Sequence, residues 1–339
     1  MKKLNLLLLF FCMTYIAFAQ DVLSEPSWVY LKRAENLSHK GEYAQAIIEA
    51  RKARDAQFNE RVEEYYQQMK AIYKEKTDYE VRKIVNEKKS DFLNEDTFPQ
   101  YHELLGDLYV ATGFLDEAED EYRLALKSKA YFEYSQAELE IKYKLSDVYG
   151  KKLDFDLQDI TNREICENFF ASKEKDLWNR IKFNIKTDPS LSHVFRVYRL
   201  EGIEYMKALY SIGKHAVMQQ RKDDGLFYLT LATIVWMTSC SDLIKRNVYD
   251  FSYAGPTDFI VVLNDIQKYQ YVTDETIIEE ILFYIGYAYH IDHNYKIRDN
   301  YLELAETFAA NSAKRNKISI LCETLRRDSS HKLTYEETF

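Results

Sequence analysis

Between Ser27 and Arg54 the chain reads SWVYLKRAENLSHKGEYAQAIIEARKAR, and small and bulky side chains follow one another there in a fixed order. Ala34, Gly41, Ala46 and Ala53 are small; Tyr30, Leu37, Tyr43 and Ile47 are bulky. At a helical period this order describes two amphipathic helices meeting at a tight turn, with small residues where the helices must touch. The same order returns in YHELLGDLYVATGFLDEAEDEYRLALKSK. Here Gly106, Gly113, Leu115, Ala118, Tyr122 and Ala125 hold the spacing, with Leu105 and Tyr109 in the bulky positions between. Ala34 and Gly106 are 72 residues apart, close to two units of a helix-hairpin repeat.

Weaker echoes follow. Ser146, Leu153 and Phe155 keep the spacing beside Leu145 and Tyr149, but Gln158 and Asn162 stand where small or apolar residues are expected. Gly213, Gly225, Leu229 and Ala232 fit, with Gln220 and Lys222 replacing the turn glycine and the aromatic. Gly286, Tyr295, Leu302 and Ala305 fit, with Leu282, Ile285 and Tyr289 in the bulky positions; His293 and Arg298 depart. Gly213 and Gly286 lie 73 residues apart, again about two units. Only 9 Gly and 4 Pro punctuate 339 residues, which favours long helices and short turns. The 28 Tyr and 19 Phe suit half-wet faces, ring buried and hydroxyl out, in an array with much surface per residue.

Between the echoes the elements are less regular. Residues 60–92 read as a degenerate helix pair beginning after Asn59, with Tyr66, Met69 and Tyr73 on one stripe, Val81, Ile84 and Val85 on another, and Thr77-Asp78 as a cap. Asp96 to Pro99 is a break. Residues 171–192 read as a helix carrying Leu177, Trp178, Ile181 and Ile185, ending at Asp188-Pro189, and mark a discontinuity in the array. Residues 237–257 look irregular, Asp258 to Tyr269 a short helix, and Ala313 to Arg326 a helix whose Ile318, Leu321, Cys322 and Leu325 cover the open end. Residues 328–339 are polar and expected to fray. The domain reading is therefore a leader at 1–19, repeats over 20–170, the discontinuity at 171–192, repeats and a capping helix over 193–327, and a polar tail.

The leader has its own signature. Lys2 and Lys3 precede an apolar run from Leu4 to Ile16, and Ala17-Phe18-Ala19 offers small residues to a signal peptidase before Gln20. The run is shorter than the roughly 20 residues a membrane span needs. Phe10 and Phe11 stand before Cys12 where a lipoprotein signal has small residues. Cleavage moves the net charge from -9 to -11, since it removes two lysines and no acid. That balance speaks against a nucleic-acid or anionic-membrane surface. Three cysteines would then remain, Cys166, Cys240 and Cys322, too few and too far apart for a disulfide framework or a CxxC site; they read as buried thiols.

Over residues 27–312 these spacings resemble the tetratricopeptide repeat (TPR) family. The resemblance implies an all-α fold, an α-α superhelix of antiparallel helix hairpins. Ala34, Gly41, Ala46, Ala53, Gly106, Gly113, Ala118, Ala125, Gly213, Gly225, Ala232, Gly286 and Ala305 would be its packing positions. It also implies a concave face built mainly from the first helix of each pair, where members of the family bind peptide segments or partner proteins. In this register the inward positions are Trp28 and Leu31; Glu103 and Asp107; Tyr143 and Asp147; Tyr210 and Lys214; and Phe283, Tyr287 and His290. Aromatics beside acids and bases suit a peptide groove; the alternative is that the rings simply pack between neighbouring hairpins.

Signals for chemistry are sparse. His290 and His293 flank Asp292, but at a predicted turn without further ligands, so no metal is expected. No GxSxG, HExxH, P-loop or dinucleotide fingerprint is present, and the acidic pairs Glu279-Glu280 and Asp223-Asp224 read as solvated faces. The expectation is a non-catalytic, cofactor-free exported scaffold or adaptor holding a protein or peptide partner in the periplasm or cell envelope. Nucleic acid is not expected as a partner, and any membrane association would be peripheral and through a partner. The alternatives are a periplasmic solute-binding or transport-accessory protein, with a small or apolar ligand between the repeats and 171–202, and an oligomerising structural protein. Intact-mass spectrometry of the exported protein should show residues 1–19 missing and Gln20 at the amino terminus; an uncleaved mass would overturn the leader reading.

Overall fold

The hairpin turns share one geometry. The computed structural model describes residues 25–88, 98–134, 136–265 and 277–338, so the leader, the break at Asp96 and the end of the helix expected to reach Tyr269 lie outside the described residues. Five turns carry one residue each in the left-handed region: Gly41, Gly113, Leu153, Gln220 and His293, at φ between 56° and 81°. Each stands seven positions after the small residue of its hairpin. In each, the next amide reaches back five residues: Glu42 to the Leu37 carbonyl, Phe114 to Tyr109, Asp154 to Tyr149, Arg221 to Ala216 and Asn294 to Tyr289, at 2.8–2.9 Å. This is the Schellman closure, which satisfies carbonyls left over at a helix end. Gly41 and Gly113 are therefore turn formers and not packing residues: they are exposed, and a Cβ on either would meet nothing within 4 Å.

The chain divides after Asp154 into two compact units. The first holds α1 (Ser27–His39), α2 (Tyr43–Ile72), α3 (Asp78–Glu87), α4 (Pro99–Thr112), α5 (Leu115–Lys127) and α6 (Ala137–Lys151). Helices α1 and α2 pair, α4 and α5 pair, and contacts between pairs run α2 to α4 and α5 to α6. The degenerate pair expected after Asn59 is not separate. Helix α2 runs without interruption through Asn59 for 30 residues, because no Gly or Pro interrupts 43–72. The chain turns only at Thr77, whose hydroxyl caps α3 in a reciprocal capping box with Glu80. Val81 and Val85 then fold back onto Tyr66, flanked by Val62, Tyr65 and Met69.

One contact repeats between the pairs of unit 1. Arg51 on α2 donates to the Tyr109 hydroxyl on α4, with Nε at 3.1 Å and Nη2 at 2.5 Å. Arg123 on α5 donates to the Tyr149 hydroxyl on α6, with Nη2 at 2.8 Å. Both arginines stand seventeen residues after the small residue of their own hairpin, and both tyrosines three after that of the next.

The second unit holds α7 (Phe155–Ala171), α8 (Lys175–Thr187), α9 (Ser192–Val197), α10 (Met206–Met218), α11 (Lys222–Lys245), α12 (Thr257–Asp265), α13 (Ile278–Ile291), α14 (Tyr295–Phe308) and α15 (Arg315–Arg327). Pairs α10–α11 and α13–α14 pack on each other through α11 and α13, and α7 packs on α10. Helix α11 continues to Lys245, through the first nine residues of the stretch 237–257 expected to be irregular. It is long and apolar enough to cross a membrane, but it is largely buried among α8, α10 and α13, as a core helix is. The expected discontinuity is the helix α8, which lays Trp178 against Phe169 and Phe170 with ring centroids 5.5 and 5.1 Å apart. Cys166, Cys240 and Cys322 are free and buried, and burial raises each thiol pKa, to about 12 for Cys166 and Cys322.

The glycines explain how closely the paired helices approach. A Cβ on Gly106 would lie 2.4 Å from Tyr122 Cε1; on Gly213, 2.7 Å from Leu229 Cγ; on Gly286, 2.9 Å from Leu302 Cδ2. In all three the neighbour is the residue sixteen positions later. Gly225 meets Val217 Cγ2 at 2.1 Å from the opposite helix. Ala34, Ala46, Ala53, Ala118, Ala125, Ala232 and Ala305 are fully buried. Asn162 is buried too, and its amide donates to Ser211 Oγ at 2.9 Å, which satisfies a polar group where the pattern would place an apolar one.

Gly106→Ala should cost about 1–3 kcal/mol by forcing the Tyr122 ring away. Leu153→Gly, which relieves an exposed left-handed leucine, should gain about 0.5–1 kcal/mol. Urea denaturation of the two variants should move the midpoint in opposite directions; shifts of the same sign would contradict this account of the turn and the helix contact.

Candidate functional site

Two of the inward positions of unit 1, Glu103 and Asp107, belong to a charged cluster. Lys144 on α6 places its ammonium 2.6 Å from Glu103 Oε1 and 2.7 Å from Asp107 Oδ2, both on α4. The Tyr122 hydroxyl donates to Asp107 Oδ1 at 2.7 Å. Burial works against the Lys144 charge, but its hydrogen bonds to Asp107 and Glu103 outweigh it and hold the ammonium above its ordinary range. Burial first, then Asp107, pushes the Tyr122 phenol up. Tyr143 and Asp147 are half-buried on the same helix. Trp28 is 66 % exposed, and Leu31 packs against the cluster of Tyr30, Ala53, Ala56 and Tyr101. Lys144 is not among the inward positions expected on α6, which were Tyr143 and Asp147; a lysine next to Tyr143, with two acids four apart on the preceding first helix, is the signal in the sequence.

Unit 2 differs. Tyr210, Phe283, Tyr287 and His290 are all buried. Phe283 lies wholly inside, which removes it from any open face. Tyr210 donates to Glu280, which also pairs with Lys314. Glu280 and its neighbour Glu279 are 4 % and 2 % exposed, so the expected solvated acidic pair is in fact a buried one. Ser312 donates to Glu279 at 3.1 Å, and burial raises the Glu279 pKa. The reason is placement: both open helix α13, whose first turn is covered by the segment leading into α15. Asp223 and Asp224 are exposed.

Lys214 lies within this group, its ammonium 5.6 Å from the centre of the Tyr284 ring. Burial lowers its pKa from the ordinary 10.5 to about 8, against the pull of Glu280.

The cover on Tyr287 and His290 is the segment 328–338, which was expected to fray. It does not: Leu333 and Thr338 are each only 6 % exposed. Asp328 closes a turn by accepting from the Ser330 amide and hydroxyl. Beyond it the His331 carbonyl accepts from His290 Nε2 at 3.0 Å. The Leu333 amide donates to the Tyr287 hydroxyl at 3.0 Å. Tyr335 stacks on Phe155, centroids 3.8 Å apart and planes 12° apart, and its hydroxyl lies 2.8 Å from His215 Nδ1. Lys317 donates to the Thr338 carbonyl at 2.5 Å. His290 also stacks on Tyr287, and His293 Nδ1 lies 2.9 Å from the Tyr295 hydroxyl. No group of three or more His, Cys, Asp or Glu suited to a metal ion occurs among the described residues.

The chain matches no family model, and no curated protein is similar to it.

Because Lys214 binds its proton more weakly folded than unfolded, the unfolded chain holds more protons between pH 8 and 10.5. Stability from this group therefore rises with pH across that window and is lost as pH falls below it. The difference in melting temperature between wild type and Lys214→Met should narrow from pH 7.5 to 9.5; a constant difference would contradict the placement of Lys214.

Proposed function

We propose that this protein is an exported, non-catalytic helical-repeat scaffold of the TPR type, whose hairpins stack into a superhelical array and whose first-helix face holds a segment of a protein or peptide partner in the cell envelope. The export part of the reading rests on the leader at residues 1–19. The array part rests on the five equal turns and on the recurring sixteen-residue contact. The observation that carries the binding part is the segment 331–338: a stretch of chain without helix or strand, held by side chains of α7, α10, α13 and α15. A surface that anchors the backbone of one turn-forming segment through His290 and Tyr287 on α13 and Lys317 on α15 has the donors and acceptors for peptide recognition.

The solute-binding alternative is less well served. Around residues 171–202 the rings of Phe169, Phe170, Trp178 and Tyr205 pack on one another, filling the place where such a ligand was expected.

A photo-crosslinking residue at Trp28 or Tyr143, on the first-helix side of unit 1, should trap a discrete protein adduct in cells. The same residue at Ile48 or Ile320, exposed on other helices, should not. Equal trapping at all four positions, or none at Trp28 and Tyr143, would overturn the reading.

A further inference from the structure

Segment 331–338 sits on unit 2 as a ligand would. It is tied to four separate elements: α13 through Tyr287 and His290, α10 through His215, α7 through Phe155, and α15 through Lys317. Its contacts fall into two kinds. The His331 carbonyl, Leu333 amide and Thr338 carbonyl are bonded through the backbone and would be available from any sequence. The buried Leu333 side chain and the Tyr335 ring and hydroxyl are read by their chemistry.

We propose that this face of α7, α10 and α13 is a peptide site which residues 331–338 occupy in cis. Its ligand in trans is a segment that turns as 334–338 does and carries the same two recognised side chains, a leucine-sized apolar residue and a tyrosine two positions on. The inference rests on reading the first-helix face as a peptide surface, and it adds the pattern recognised and the occupant that guards it. A tethered occupant acts at an effective concentration in the millimolar range. A partner peptide therefore binds only when it out-competes the tether or when the tether is released. The turn at Asp328–Ser330 is the place where release occurs, because the chain leaves α15 there held by its own local hydrogen bonds alone.

The test uses the full chain with Leu333→Asp and Tyr335→Ala together, which frees the segment, and a fluorescently labelled peptide HKLTYEET corresponding to 331–338. Hydrogen exchange should show the Leu333 amide protected in wild type and the segment 331–338 unprotected in the variant. Fluorescence anisotropy should then show the peptide binding the variant at least ten-fold more tightly than wild type, and the peptide with its tyrosine changed to alanine losing at least ten-fold. A released variant that does not bind the peptide, or a wild-type Leu333 amide without protection, overturns the proposal. If the variant loses its cooperative melting transition, wild type decides: excess peptide should strip protection from the chain's own Leu333 amide, and unchanged protection overturns the proposal. Failure here with a persisting adduct at Trp28 or Tyr143 would sink this site alone and leave the scaffold reading in place.

Discussion

Everything in both units depends on how near two consecutive helices can come. At Gly106, Gly213 and Gly286 the facing side chain occupies the space a Cβ would need, and the facing residue is always sixteen positions downstream. That one distance sets the turn, because only a left-handed residue seven positions after the small one returns the chain at the right place. It also sets which side chains are left to face the next pair. In unit 1 the arginine beside the contact reaches the tyrosine of the following hairpin twice in the same register. A hairpin of this kind cannot cover both of its faces, so stacking follows from the close approach.

The buried polar groups belong to the same logic. Glu279 and Glu280 enter the interior because α13 begins beneath the chain that leads into α15, and serine, tyrosine and lysine meet them there. In unit 1 the acids of α4 stay half-buried and one lysine holds both. The two units thus use a similar composition differently. One leaves its inward charges partly wet; the other seals them under the chain that leads into α15.

Helix class, hairpin positions and the small-residue contacts were legible because they depend on spacing within a few turns of chain. Gln220 and His293 read as departures from the pattern and Leu153 as keeping it, yet all three backbones hold the glycine conformation: the turn closure is strong enough to impose a strained angle on another side chain. The continuous α2 was illegible as such, since a fused pair differs from a separated one only by the absence of a breaker. The fate of 328–338 could not be read either. Its polarity pointed to solvent, and its partners, Phe155, His215, Tyr287, His290 and Lys317, are scattered over more than 160 positions. Lys144 was missed for a smaller reason: the inward positions expected on α6 were Tyr143 and Asp147 alone.

The bond between Tyr335 and His215 closes a loop of 120 residues, whereas each hairpin closes within about thirty. Contacts of such long range form late, after local pairs have paid their entropy. The aromatic floor on α7, α10 and α13 is consequently bare for part of every folding event, and a chaperone or neighbouring chain meeting the protein then would find it uncovered. The order in which the molecule assembles thereby gives the face a brief period of openness that its finished form does not show.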